Sequence, residues 1–169
     1  MFNNIITTSQ AKNAVDENNG TFVLLRLKGG FENILNGSKT MEILKSSCWN
    51  LKAPFFVLCC NDEDDKIIGS FICNKIDDLY CPVELPNISS LEQLPYHTKQ
   101  WLVQSGLTYY QLCAMAKRSQ KLYGWMISSP VELDLPLMAI GEEYPPQAWK
   151  YLSTTGIQAQ LALAGVSAL

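Results

Sequence analysis

Residues 54–75 constrain this chain more than any other stretch. They read PFFVLCC, NDEDDK and IIGSFICNK, two apolar runs joined by an acidic hexapeptide. Phe55 through Cys60 are apolar without a break. A strand with one wet face alternates, whereas an unbroken run needs cover on both faces. Asn61 to Asp65 are costly to bury, so the chain turns in solvent there. Ile67, Ile68, Phe71, Ile72 and Cys73 form the returning run, and Gly69 marks a bulge or a close backbone approach. With Asn61 facing Lys66, Phe56 falls opposite Phe71, Cys60 opposite Ile67 and Cys73 opposite Pro54. The pattern is that of a β-hairpin at the centre of a sheet.

The rest of the chain supplies partners for that hairpin. Thr21 to Leu27, TFVLLRL, is a second strand; Gly124–Ser129 and Leu135–Ile140 are further ones. From Ser38 a capped helix is expected, with Met41, Leu44 and Cys48 on one face. A longer helical region runs from Thr98 to about Tyr123. Gly106 is its weak point, and Lys117, Arg118 and Lys121 lie near its end, where cations suit the helix dipole. Pro145 and Pro146 open a last helix carrying Trp149, Leu152, Ile157 and Leu161. The expected fold is α+β: a mostly antiparallel sheet around a central hairpin at about 54–75, covered by helices. At 169 residues the chain reads as a single globular domain, 1–169. The C-terminal helix, about 146–169, has little charge after Lys150, which implies packing on that domain or on a partner.

Composition narrows the function classes. A net charge of −3 with scattered Lys and Arg argues against a nucleic-acid surface. No run of about 18 apolar residues exists, so no membrane span is expected. The start, MFNNIITTSQ, lacks the basic and apolar regions of a secretory signal. A cytoplasmic protein with reduced, buried thiols is the expectation for its six cysteines.

Chemistry-bearing patterns are sparse. Asp62 and Asp64 have the spacing of the first EF-hand ligands, but Lys66 and Ile67 stand where a ligand and a glycine are required. Cys59 and Cys60 are adjacent on a strand and point to opposite faces, so no zinc site forms from them. The single histidine, His97, reads as a surface or capping residue. No G-x-G or GK[ST] segment is present. The four tryptophans read as core or interface anchors. No catalytic residue and no metal ligand is assigned.

Two partial resemblances add alternatives. FVLCCNDEDDKIIGSFI is similar to the central hairpin of GNAT acetyltransferases, which implies coenzyme A binding; the following DLYCPVELPN lacks that family's glycine-rich loop. Asn50 to Val57 resembles the N-x-Q-P-W-x-F-V segment of flavin-dependent nitroreductases with one residue inserted. That resemblance implies FMN as cofactor, with Arg26, Lys28 and Asn50 toward the flavin. It also implies a core helix over 156–169, although residues 111–124 followed by 135–145 match that helix and its following strand equally well. From the residues themselves the expected function is a non-enzymatic binding or regulatory protein, without cofactor, that contacts a protein partner or itself. The expected interface is Trp149, Leu152, Ile157 and Leu161.

Overall fold

The computed structural model describes residues 9–81, 90–116, 121–138 and 148–155. In chain order these form α1 (Ser9–Glu17), β1 (Thr21–Arg26), α2 (Glu32–Leu35), β2 (Met41–Leu44), β3 (Phe55–Cys60), β4 (Lys66–Tyr80), a short 3-10 turn (Leu91–Gln93), α3 (Tyr96–Ser105), α4 (Tyr109–Ala116), β5 (Lys121–Met138) and β6 (Trp149–Ser153). One six-stranded sheet runs β2-β5-β4-β3-β1-β6. The sheet is mixed. β1 runs parallel to β3, while β3–β4, β4–β5, β2–β5 and β1–β6 are antiparallel.

Every residue of β3 is buried. Phe55, Val57 and Cys59 face one core with Leu25, Phe71 and Trp125. Phe56, Leu58 and Cys60 face another, which α1 covers with Ala11, Ala14 and Val15. Fully burying one such large apolar side chain contributes about 1.5–3 kcal/mol. A third cluster packs Met41, Ile43, Leu79 and Leu122 against Leu112 of α4.

The β3–β4 register is shifted by one. Asn61 N–H donates to the Lys66 carbonyl at 3.0 Å, and Cys60 lies opposite Ile67. Cys59 then pairs with Gly69, so Ile68 is an extra residue, and Val57, not Phe56, meets Phe71. Cys73 accordingly faces Phe55 rather than Pro54. Gly69 lies beside this bulge against the Phe31 ring, and a Cβ there would also stand 2.7 Å from the Val131 carbonyl oxygen. Further shifts along β4 and β5 bend these two long strands.

Three expected helices take other forms. From Ser38 the chain forms β2, with Met41 and Ile43 in one core and Leu44 in another. Ser38 closes a turn instead of capping a helix: its N–H donates to Asn36 Oδ1 and its hydroxyl to the Asn33 carbonyl. The stretch expected as one helix to Tyr123 divides into α3 and α4 at Gly106, which holds φ 68°, and Lys121 begins β5. Trp149 to Ser153 is a strand paired with β1, not a helix. Its period is two: Trp149 and Tyr151 join one core face and Leu152 the other. Ile157, Leu161, Lys117 and Arg118 lie outside the described residues. No helix among the described residues is long and apolar enough to cross a membrane.

Candidate functional site

Lys121, Tyr123 and Trp125 recur at every second position of β5 and so share one face of the sheet. Trp125 is fully buried and meets Phe55 edge-to-face at 5.3 Å. Trp149 lies 5.8 Å from Trp125 and 5.1 Å from Tyr151. Moving toward the start of β5, burial gives way to exposure. Tyr123 meets Trp49 at 5.8 Å and near a right angle. Lys121 Nζ then stands 5.2 Å from the Tyr123 ring centre, 5.6 Å from Tyr80 and 5.9 Å from Trp49. Tyr80 and Asp78 arrive from β4, opposite Lys121 and Tyr123 respectively. Asp78 holds the Lys121 ammonium at 2.9 Å, and this hydrogen bond raises the lysine above its ordinary pKa. Trp49 is 73% exposed and Tyr80 63% exposed. Exposed aromatic rings beside a cation offer faces on which a further flat group can stack.

Trp49 sits on the connection between β2 and β3, and that connection is pinned at three places. Trp149 Nε1–H donates to Ser46 Oγ at 3.0 Å. Asn50 N–H donates to the Tyr151 hydroxyl at 3.3 Å. Buried Asn18, at the end of α1, accepts from Lys52 N–H at 2.8 Å and donates to the Lys52 carbonyl at 3.1 Å. The loop is therefore set before any ligand arrives, which lowers the ordering cost of binding. β6, whose Trp149 was expected at a partner interface, acts here as the post to which the loop is tied.

A cavity of about 340 Å³ opens between this loop and β4. Cys48 and Phe55 form its buried floor, and Trp49, Asn74 and Lys75 its exposed lip. A second cavity, of about 340 Å³, lies under α1 and also touches Asn74.

The residues expected at a flavin do not converge. Arg26 Nη1 pairs with Asp62 at 2.8 Å, and Nη2 pairs with Asp65. The acidic turn stands in solvent and also grips the end of β1. Asn50 is anchored to Tyr151, which lies opposite Val23, three positions back along β1 and about 10 Å from Arg26 by strand rise. Lys28 is exposed and acts electrostatically on Glu42. Glu42 and Lys39 form a buried ion pair at 2.5 Å beside the core. Burial pushes the Glu42 carboxyl above its ordinary pKa against the opposing pull of Lys39 and Lys28. Burial likewise raises the Cys48 and Cys73 thiols to about 12. Among the described residues, no three His, Cys, Asp or Glu side chains are placed to hold a metal ion.

Solved structures share this arrangement of strands and helices. An ASCH protein from Zymomonas mobilis is 15% identical, with a TM-score of 0.62 over 83% of this chain and 94% of that chain. A tyrosine-to-phenylalanine variant of that protein gives 16% identity and a TM-score of 0.61 over 83% and 96%. The chain has an ASCH-like fold. No family model and no curated protein matches it. An ASCH-like fold does not match the nitroreductase or GNAT alternatives. It also overturns the exclusion of nucleic acid, because ASCH domains are associated with RNA binding. Net charge and the scatter of Lys and Arg describe the whole surface and do not exclude a local site.

Sequence reasoning missed Tyr80, Lys121 and Tyr123 as a group and read Trp49 as a core or interface anchor. A signal existed in Lys121-x-Tyr123-x-Trp125, which has the period of a strand. The pairing of β4 with β5, which brings Tyr80 and Asp78 beside it, has no local signature.

Proposed function

We propose that this protein binds RNA, through unpaired nucleotides laid against Trp49, Tyr80, Tyr123 and Lys121. The observation that carries this reading is the Lys121 ammonium placed 5.2–5.9 Å from three ring centres, two of those rings being mostly exposed. Single strands are held by bases stacking on aromatic side chains with basic groups near the backbone, each stacked base contributing about 1–3 kcal/mol. Asp78 beside Lys121 and Asp77 beside Lys75 nearly balance the local charge. Stacking, not charge, then carries the affinity, and the salt dependence is shallow. The ASCH-like fold supports the same reading.

Fluorescence anisotropy with a labelled single-stranded RNA, and with the matching duplex, tests it. Saturable binding of the strand, weaker binding of the duplex and quenching of tryptophan emission lost in Trp49→Phe are the expected results. Equal affinity for strand and duplex, or none for either, sinks the reading.

A protein-binding surface is the second reading. It is favoured by Tyr96, Val103 and Tyr110, large apolar side chains exposed on α3 and α4. Sedimentation of the protein with and without Val103→Asp tests self-association there; an unchanged, monomeric profile in both argues against this protein's contacting itself by that surface.

A further inference from the structure

We propose that the cavity between the 47–53 loop and residues 74–76 of β4 receives one unstacked purine of a bound strand. Trp49 is its stacking wall and the Asn74 amide reads the base edge. This rests on the RNA reading above and adds base specificity to it.

The cavity volume, about 340 Å³, suits a single small ligand and not a length of strand. Its floor is apolar and dry: Phe55 is fully buried and Cys48 nearly so. Such a floor takes the flat, weakly polar body of a base and rejects a phosphate, whose burial without partners is costly. The lip is polar and exposed. The Asn74 side chain makes no hydrogen bond with any described residue, so its amide donor and acceptor are both available. An asparagine amide matches adenine, which presents the N6–H donor beside the N7 acceptor. Guanine presents only acceptors on its N7 edge, but an unpaired guanine offers N1–H beside O6, which pairs with an amide equally well, so the cavity selects a purine. A pyrimidine offers a donor beside an acceptor but covers less of an indole ring, so it gains less from Trp49. Lys75 at the rim, held by Asp77 at 2.5 Å, stands where the backbone of an extruded nucleotide would leave the cavity. The three anchors at Ser46, Asn50 and Lys52 keep the wall in place without the ligand.

The test uses the full chain and a short oligouridine whose central position carries adenine, guanine, uracil or no base. Anisotropy titration should rank adenine and guanine above uracil and the abasic strand, the purines about tenfold tighter than the abasic strand, which is roughly the discrimination of one good bidentate pair. Asn74→Ala should reduce the purine advantage over the abasic strand to about threefold, the part left to stacking on Trp49, while leaving the abasic affinity unchanged. Asn74 is exposed, and an unshifted thermal melt confirms that the variant is folded. Equal affinity for all four strands overturns the purine pocket while leaving RNA binding standing. Failure to bind any of the four overturns both.

Discussion

The molecule sets a cation against carboxylate on its surface in two contrasting ways. At the end of β1, Arg26 is closed: its side chain is 16% exposed, and Asp62 and Asp65 occupy both terminal nitrogens. At the start of β5, Lys121 is open: its side chain is 31% exposed, Asp78 lies beside it, and three aromatic rings stand around it. The first arrangement ties the β3–β4 turn to β1, and its groups are spent on one another. The second leaves ring surface in water that a stacked base can cover. Counting charges cannot separate the two, because each is a cation beside an acid. What separates them is the geometry of the remaining surface.

The most damaging way to probe the contrast is Trp125→Ala. Trp125 backs the open region through Trp149 and Phe55, and its loss creates a large cavity. Truncation of a buried tryptophan costs about 3–5 kcal/mol, which denaturant unfolding will measure as a lower midpoint. RNA binding should weaken with it, since the posts that hold Ser46 and Asn50 lose their backing. Undiminished affinity in a destabilised Trp125→Ala protein would detach the open region from the core.

Trp49→Ala should do the reverse. Its ring is mostly exposed, so the melting temperature should hardly move. RNA affinity should fall by about 1–3 kcal/mol, the worth of one stacked base. A smaller effect is expected from the two cations, and it divides them. Lys121→Met should lower the slope of log affinity against log salt by about 0.7, the share of one single-strand phosphate. Arg26→Met should leave that slope unchanged and instead lower stability slightly, because its acid partners are half exposed and screened. If Arg26→Met changed the slope and Lys121→Met did not, the assignment of closed and open would be inverted.

The closed region was more legible in the sequence than the open one. The apolar run Phe55–Cys60 and the returning run from Ile67 are local signals, and both are strands. TFVLLR reads as a strand for the same reason and is one. The open region depends on contacts between distant segments. Its loop is held by Trp149 and Tyr151, which lie about 100 residues away along the chain. Trp149, Leu152 and Ile157 fit a helical spacing after two prolines, yet the antiparallel partner β1 draws Trp149–Ser153 into a strand. Met41, Leu44 and Cys48 likewise fit one helical face, while pairing with β5 makes Met41–Leu44 a strand. In both cases a three-to-four-residue spacing and a two-residue spacing coexist in one short segment, and tertiary pairing decides between them. The parallel placement of β1 beside β3 leaves no trace in either segment.

A third cation–carboxylate pair, more buried than either, gives the smallest and most discriminating prediction. Lys39 and Glu42 stand 2.5 Å apart with side chains 13% and 10% exposed. Loss of water around Glu42 outweighs the attraction of Lys39 and then Lys28, so the folded carboxyl titrates above its ordinary value. The folded state therefore holds the Glu42 proton at a pH where the unfolded chain has released it. Proton linkage then makes Glu42 favour folding most at acid pH, with that contribution lost as pH rises through the raised folded value. Glu42→Gln cannot ionise, so the stability of wild type relative to this variant should decline as pH rises from the ordinary glutamate range through the raised folded value. Urea midpoints of both proteins across that window measure the difference. A wild type that instead gained on Glu42→Gln with rising pH would show pairing with Lys39 to dominate, as carboxylate pairing does at Arg26. In that event burial alone would not distinguish a strained pair from a satisfied one, and the exposed rings around Lys121 would be the sole physical mark separating the open region from the closed one.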